Sequence, residues 1–91
     1  MSVTVKIPAP LRQLTGGVAT VDCTPGTVRD LIAQVDGKFA GFADRVTEDG
    51  ALRRFVNVFV AGQDVRFSDG IDTAVTDGQD VTILPAVAGG A

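Results

Sequence analysis

The sequence predicts one α+β domain, in which a mixed sheet of about five strands carries one main helix on one face. Three observations support this fold class. The chain has 91 residues, the length of a single domain. Hydrophobic residues make up 45% of it and charged residues 21%, which provides enough apolar side chain for a folded core. Segments in which apolar and polar residues alternate stand on both sides of one segment with helical spacing.

Two strands joined as a hairpin open the sequence. Residues 2–7 alternate apolar and polar side chains, which is typical of a strand with one buried face. Pro8 and Pro10 end this strand because proline cannot donate a ladder hydrogen bond. After a connection that contains two glycines, residues 18–23 alternate again, so we expect them to pair with the first strand.

The main helix follows a Thr-Pro-Gly-Thr turn. Thr27 is a candidate N-cap, Asp30 lies in the first turn, where negative charge is favoured, and Gly37 lies at the predicted end. Apolar residues repeat at the i, i+3, i+4 and i+7 spacing of one helix face: Val28, Leu31, Ile32 and Val35. Residues 38–46 permit one or two further helical turns.

The second half of the chain is richer in strand-forming residues. Residues 55–60 are β-branched and aromatic, so we expect a central strand there. Residues 65–67 and 71–75 are predicted as short strands, and residues 80–84 as the last strand, which Pro85 ends. A hairpin, then a helix, then further strands is the order of the β-grasp, or ubiquitin-like, arrangement.

Charge and residue types exclude several function classes. The net charge is −3 and the pI is about 4.5, the wrong sign for a surface that follows nucleic-acid phosphates. No apolar run reaches the length of a membrane span and no signal pattern is present, so we expect a cytoplasmic protein. Histidine is absent and Cys23 is the only cysteine, which excludes disulfides, cysteine-rich zinc sites and Cys/His or Ser/His/Asp catalysis. We therefore expect a buried Cys23, no bound metal or cofactor, and a carrier or substrate of other enzymes instead of an enzyme.

The end of the sequence differs in composition from the rest. Residues 86–91 have small side chains and no strand pattern, so we divide the chain into a domain of residues 1–85 and a flexible tail of residues 86–91. Gly89 and Gly90 lack a Cβ and can pass through a narrow channel. Residues 86–90 reach about 17 Å when extended, enough to bring a carboxylate into a partner's cleft. A frayed terminus or a cloning remnant would have the same composition.

Residues 77–90 consist of a strand, Pro85 and a short segment that ends in a diglycine. This ending resembles that of the ThiS/MoaD family of sulfur carriers. Residues 54–60 and 64–67, together with parts of residues 3–17, are similar to the branch of this family that serves cysteine biosynthesis in actinobacteria. The resemblance thus covers most of the chain and implies the same β-grasp fold.

The resemblance also implies a carrier cycle at Gly90. An E1-like adenylating enzyme with sulfurtransferase activity would adenylate the Gly90 carboxylate with ATP, and a persulfide would then convert it to a thiocarboxylate. Val87, Ala88 and Gly89 would thread into partner active sites. A pyridoxal-phosphate-dependent cysteine synthase would use the sulfur to make cysteine from O-phosphoserine, and a zinc metallopeptidase would release the product or trim the tail. Ala91 blocks the Gly90 carboxyl and would have to be removed first, as from a precursor; an extra residue left by cloning or a deliberately blocked form would have the same ending. ATP, pyridoxal phosphate and zinc therefore belong to the partner enzymes.

Strand parity predicts a partner-docking surface beside this tail. If Val58 points at the helix, Phe55 and Phe59 point to the opposite sheet face, and the same parity turns Leu84 outward on the last strand. Exposed apolar side chains on such a face indicate docking, and the resemblance implies that the activating enzyme binds there. Reversed parity, or a loop that covers these residues, would instead make them a second core cluster.

Three alternatives share these features. A ubiquitin-like modifier would use the same activation to join lysines of other proteins. A carrier could deliver sulfur to a thiosugar, thiazole or molybdopterin precursor. A β-grasp interaction module would have no use for the tail, so deletion of residues 89–91 would leave its function intact.

Overall fold

The structure is a computed structural model that describes residues 2–54 and 56–85. Within these residues the strands are β1 (Val3–Lys6), β2 (Thr20–Cys23), β3 (Gly26–Thr27), β4 (Thr47–Glu48), β5 (Ala51–Leu52), β6 (Val56–Val60), β7 (Gln63–Asp64), β8 (Ala74–Val75) and β9 (Asp80–Pro85). The α-helices in the same ranges are α1 (Val28–Lys38) and α2 (Phe42–Val46), and short 3-10 helices occupy Ala9–Leu11, Val65–Phe67 and Gly70–Asp72.

Five of these strands form one mixed sheet in the order β2-β1-β9-β6-β7. Strand β1 is antiparallel to β2 and parallel to β9, while β6 is antiparallel to both β9 and β7. The other strands form two short ladders, β3 with β8 and β4 with β5. This arrangement confirms the predicted mixed sheet with one main helix. It also confirms the N-terminal hairpin and the interior position of the strand that begins the second half.

Helix α1 covers one face of the sheet. Neighbouring residues in the sequence determine both where the helix begins and which of its faces is apolar. The Thr27 Oγ1 accepts the N–H of Asp30 at 3.2 Å, and Asp30 Oδ2 accepts the N–H of Thr27 at 3.0 Å, so a capping box holds the first turn. The helix face predicted to be apolar is buried. It packs against inward-facing side chains of four sheet strands, namely Val3, Val5, Val21, Val56, Val58, Val81 and Ile83.

The second helical segment is α2, which closes one end of the core. Phe42 and Val46 on this helix are both fully buried. Helix α1 ends at Lys38, one residue after the predicted end at Gly37, and the Phe39 N–H still donates to Val35 O at 2.8 Å. The chain turns instead at Gly41, whose φ of 98° is a conformation that suits glycine.

Of the two short strands predicted from composition, one is wrong and the other is shorter than predicted. Residues 65–67 form a 3-10 helix because the Asp64 carboxylate accepts the N–H of Arg66 at 2.9 Å, which closes a tight turn directly after β7. In the segment 71–75 only the last two residues pair, in β8. The residues before them form another 3-10 turn, in which the Thr73 hydroxyl donates to Gly70 O at 2.7 Å.

Candidate functional site

The outer face of the sheet, on the side away from α1, has the side-chain parity that the sequence predicts. On β9, Val81 and Ile83 are buried, whereas Leu84 is 46% exposed. On β6 the valines at 56, 58 and 60 are buried, whereas Asn57 and Phe59 between them are half-buried. Reversed parity is therefore excluded for these residues. Phe55, the third predicted docking residue, lies outside the described residues.

The register between β6 and β9 brings the outward side chains together. Asn57 lies opposite Leu84, and Phe59 lies opposite Thr82. Phe59 and Leu84 are therefore diagonal neighbours on the same sheet face, a separation that large apolar side chains can bridge. We call Phe59 and Leu84 the outer patch. It stands where β9 ends, opposite the start of β6.

Charged residues border the outer patch. Lys6 lies opposite Thr82 on the other flank of β9, and Lys6 Nζ stands 3.6 Å from Asp80 Oδ2. Both side chains of this pair are half-exposed, so water screens the attraction and the pair adds little to stability. The Arg53 guanidinium, further from the patch, donates to Asp44 O at 2.7 and 2.9 Å and so ties α2 to the segment before β6.

Arg66 reaches across to the start of β6 and makes the densest set of side-chain hydrogen bonds beside the outer patch. Its Nη1 donates to Asn57 Oδ1 at 2.7 Å. Its Nη2 donates to the carbonyl oxygens of Arg54 at 2.7 Å, Val56 at 2.9 Å and Arg53 at 3.3 Å. Sequence reasoning missed this residue because it placed residues 65–67 in a strand. The available signal was Asp64, whose carboxylate can accept an N–H two residues further on.

Phe67 is a second residue that sequence reasoning missed. It ends the 3-10 helix that contains Arg66 and is 84% exposed, more than Leu84 or Val18, the other large apolar side chains that are exposed in the described ranges. An aromatic ring so open to solvent is an exposed apolar group on the segment that follows β7.

The predicted reactive segment begins where β9 ends. Gly90, the predicted site of adenylation, and Val87, Ala88 and Gly89, predicted to thread into partner clefts, lie outside the described residues, as does Ala91. The predictions for them therefore stay predictions. The described part of the chain brings its backbone to Pro85, opposite Val56, beside the outer patch.

Cys23 is a core residue, as predicted. Its side chain is buried, and burial raises the pKa of the thiol, although Lys38 acts in the opposite direction. Lys38 is distant in sequence, and α1 brings it close enough to donate to Asp22 O at 3.4 Å. A buried thiol with a raised pKa is a poor nucleophile at neutral pH, which argues against sulfur handling by Cys23.

The structure adds two observations on metals and membranes. Among residues 2–54 and 56–85, His, Cys, Asp and Glu side chains do not gather in groups of three or more that could hold a metal ion. The helices found in these ranges are all too short or too polar to cross a membrane.

Comparison with known proteins adds to this geometry. The ThiS family matches residues 5–90. The chain is 46% identical to the sulfur carrier protein CysO of Mycobacterium tuberculosis over 93 aligned residues, which cover 99% of this chain and 100% of that relative. It is 41% identical to the small archaeal modifier protein 3 of Haloferax volcanii over 64 residues, 70% of each chain.

A solved structure has the same fold as this chain. A chain in the crystal structure of the BexX/CysO complex of Amycolatopsis orientalis superposes with a TM-score of 0.92 at 48% identity, covering 97% of this chain and 99% of that chain. This likeness confirms the predicted β-grasp fold. With a family match that runs through most of the sequence and a full-length relative at this level of identity, the chain belongs to the ThiS family.

Proposed function

We propose that this protein carries sulfur as a C-terminal thiocarboxylate on Gly90, after removal of Ala91, for the synthesis of cysteine from O-phosphoserine. The observation that carries the proposal is the full-length identity of 46% to a sulfur carrier named CysO. The family match, which extends to residue 90, supports Gly90 as the reactive residue. The protein would act as a group carrier and leave the chemistry to its partners.

The chemistry at Gly90 follows from the weak reactivity of a carboxylate. An E1-like adenylating enzyme would join the Gly90 carboxylate to the α-phosphate of ATP and release pyrophosphate. A persulfide sulfur would then attack the acyl carbon and expel AMP, and reduction of the resulting acyl disulfide by a thiol would leave the thiocarboxylate. Ala91 must be absent, because its peptide bond occupies the carboxyl group that is adenylated.

The cysteine-forming steps would take place in two further enzymes. A pyridoxal-phosphate-dependent cysteine synthase would present an aminoacrylate made from O-phosphoserine, and the thiocarboxylate sulfur would add to its terminal carbon. An S-to-N acyl shift would then join the new cysteine to Gly90 by a peptide bond. A zinc metallopeptidase would hydrolyse this bond and restore the carrier.

The outer patch is the surface that we assign to docking. Leu84 and Phe59 present apolar surface beside the point where the tail begins, so a partner seated there would have the tail close to its own cleft. Phe55 would extend the same surface by strand parity. A solved complex of a related CysO with a second protein supports partner binding by carriers of this kind.

The first test is the mass of the untagged protein recovered from its native host. Loss of one alanine together with replacement of one oxygen by sulfur would support the matured carrier. Retention of Ala91 without sulfur, in cells starved for cysteine, would contradict it.

A second test isolates Ala91 in vitro. The chain ending at Gly90 should support ATP–pyrophosphate exchange by the activating enzyme of the host, whereas the matched chain ending at Ala91 should not. A Gly90 form that supports no exchange would refute the proposal, because adenylation is its first step.

A ubiquitin-like protein modifier is the second candidate function. The observation in its favour is the 41% identity to a small archaeal modifier protein. High-mass conjugates of this protein that persist under reducing conditions in a host lysate would favour the modifier. Transfer of sulfur to a thiosugar, thiazole or molybdopterin precursor instead of the aminoacrylate would keep the carrier chemistry and change only the acceptor enzyme.

A further inference from the structure

We propose that Arg66 is a positioning residue for the loading reaction, because it fixes the strand segment against which the end of β9 is paired. This inference rests on the proposed function. We call the paired residues at this end, Val56 and Asn57 with Leu84 and Pro85, the tail root. Arg66 would hold the tail root in one geometry, so that the predicted flexible tail starts after Pro85 and not further back along β9.

The contacts of Arg66 converge on one side of the tail root. Its guanidinium donates to Asn57 Oδ1 and Val56 O within the root, at 2.7 and 2.9 Å, and to Arg54 O just before it, at 2.7 Å. Hydrogen bonds from a charged donor are stronger than neutral ones. The two terminal nitrogen atoms of the Arg66 guanidinium therefore link Val56 and Asn57 of β6 to Arg54 in the preceding turn.

The backbone ladder shows why Asn57 matters for the end of β9. The Ala61 N–H donates to Asp80 O at 2.9 Å. Hydrogen-bonded and non-hydrogen-bonded pairs alternate along an antiparallel ladder, so the pair of Asn57 and Leu84 is also hydrogen-bonded. Pro85 has no N–H. The Leu84 amide is therefore the last donor that β9 can offer to β6, and its partner is the residue whose side chain Arg66 holds.

Arg66 is itself held firmly at its other end. The Asp64 carboxylate accepts its backbone N–H at 2.9 Å, and the neighbouring Val65 side chain is fully buried. Asp64 also pairs with Phe59 through β7 and β6. The backbone of Arg66 is thus held by Asp64, a residue of the same sheet that the Arg66 guanidinium stabilises. A lysine at this position would offer one nitrogen and could not reach both the Asn57 side chain and the turn carbonyls in the same way.

The expected effect on loading follows from geometry. The Gly90 carboxylate has to reach the α-phosphate of ATP inside the partner, several residues from the tail root. Fraying of the root would lengthen the predicted flexible segment that has to be ordered on entry, and this lowers the fraction of encounters in which the tail enters the cleft. Once the carboxylate is seated, the adenylation step itself is unaffected, so the loss falls on KM and not on kcat.

The test compares Arg66→Gln and Arg66→Lys in the chain ending at Gly90. Arg29→Gln is the matched control, because Arg29 is also an exposed arginine whose guanidinium donates a hydrogen bond, to Asp72 Oδ1 at 3.1 Å, but it lies on α1. Thr27→Ala is the control for stability alone, since it removes a helix cap away from the tail root. Each variant is assayed by ATP–pyrophosphate exchange for KM and kcat, and by amide hydrogen exchange at Leu84.

We expect Arg66→Gln to raise KM about tenfold, the equivalent of one lost charge-assisted hydrogen bond, with kcat changed by less than about twofold. Leu84 amide exchange should accelerate by about the same factor, since it depends on the same opening of the root. Arg66→Lys should fall between Arg66→Gln and the wild type in both measurements, and both controls should match the wild type in KM. If Arg66→Gln does not fold, Arg66→Lys tests the inference alone: its KM and its Leu84 exchange rate should both exceed those of the wild type.

Two outcomes would overturn the inference while the proposed function stands: an active wild type with an unchanged KM in both Arg66 variants, or an equal rise in KM for Thr27→Ala. A wild type ending at Gly90 that supports no exchange would instead refute the proposed function, and the loading role of Arg66 with it. The Leu84 exchange rate would still report whether Arg66 holds the root.

Discussion

Replacing Leu84 with alanine should weaken docking to the activating enzyme without unfolding the domain. Complete burial of a leucine side chain is worth about 1.5–3 kcal/mol. In the free domain 46% of Leu84 is still exposed, so this share remains for a partner to cover. Covering it contributes about 0.7–1.4 kcal/mol, which corresponds to a change in affinity of about three- to tenfold.

The assay for this prediction is ATP–pyrophosphate exchange, with the concentration of the carrier ending at Gly90 varied. We expect Leu84→Ala to raise KM for the carrier by the factor given above and to leave kcat unchanged, because the reacting carboxylate is not altered. Urea unfolding of the same variant shows whether the domain remains folded under assay conditions.

Val18→Ala is the matched control for Leu84→Ala. Val18 is 39% exposed, similar to Leu84, but lies in the connection between β1 and β2. Its KM should equal that of the wild type. An unchanged KM for Leu84→Ala, or an equal rise for both variants, would refute the assignment of docking to the outer patch.

Three further predictions concern the fold. Phe42→Ala should lower the free energy of unfolding by about 3–5 kcal/mol, because the ring is fully buried and leaves a cavity; a smaller loss in urea unfolding would mean that α2 collapses into the space. Thr27→Ala should lower it by about 1 kcal/mol through loss of the capping box, and an unchanged urea midpoint would contradict that contribution. Burial raises the pKa of Cys23, so its contribution to stability is constant below the ordinary thiol pKa and declines as pH rises toward the native value, because the unfolded chain loses its proton first. The free energy of unfolding, measured with urea, should therefore fall less between about pH 7 and about pH 10 for Cys23→Ala than for the wild type. An equal fall in both proteins would contradict this prediction.

The sequence predicted the parts of the fold that depend on local pattern. Residues 2–7 and 80–84 alternate apolar and polar side chains, and this alternation alone places Leu84 on the outer face. Thr27 and Asp30 form their capping box within four residues, so the start of α1 could be predicted as well.

The wrong predictions concern residues whose secondary structure depends on contacts with residues distant in the sequence. Residues 65–67 are strand-like in composition, but the Asp64 cap and the bonds of Arg66 to carbonyls up to 13 residues away hold them in a 3-10 turn. Such contacts leave no periodic signal in the sequence. Arg66 therefore looked like one charged residue among others, and its position beside the end of β9 became visible only in the folded chain.

The place of β9 inside the sheet has a mechanical consequence. This strand lies between β1 and β6 and is hydrogen-bonded to both. Tension on the chain beyond Pro85 would act first on residues 83–85, which pair with β6 alone, whereas residues 80–82 pair with β1 as well. Extraction of the whole strand would therefore have to break a second ladder, which an edge strand does not have.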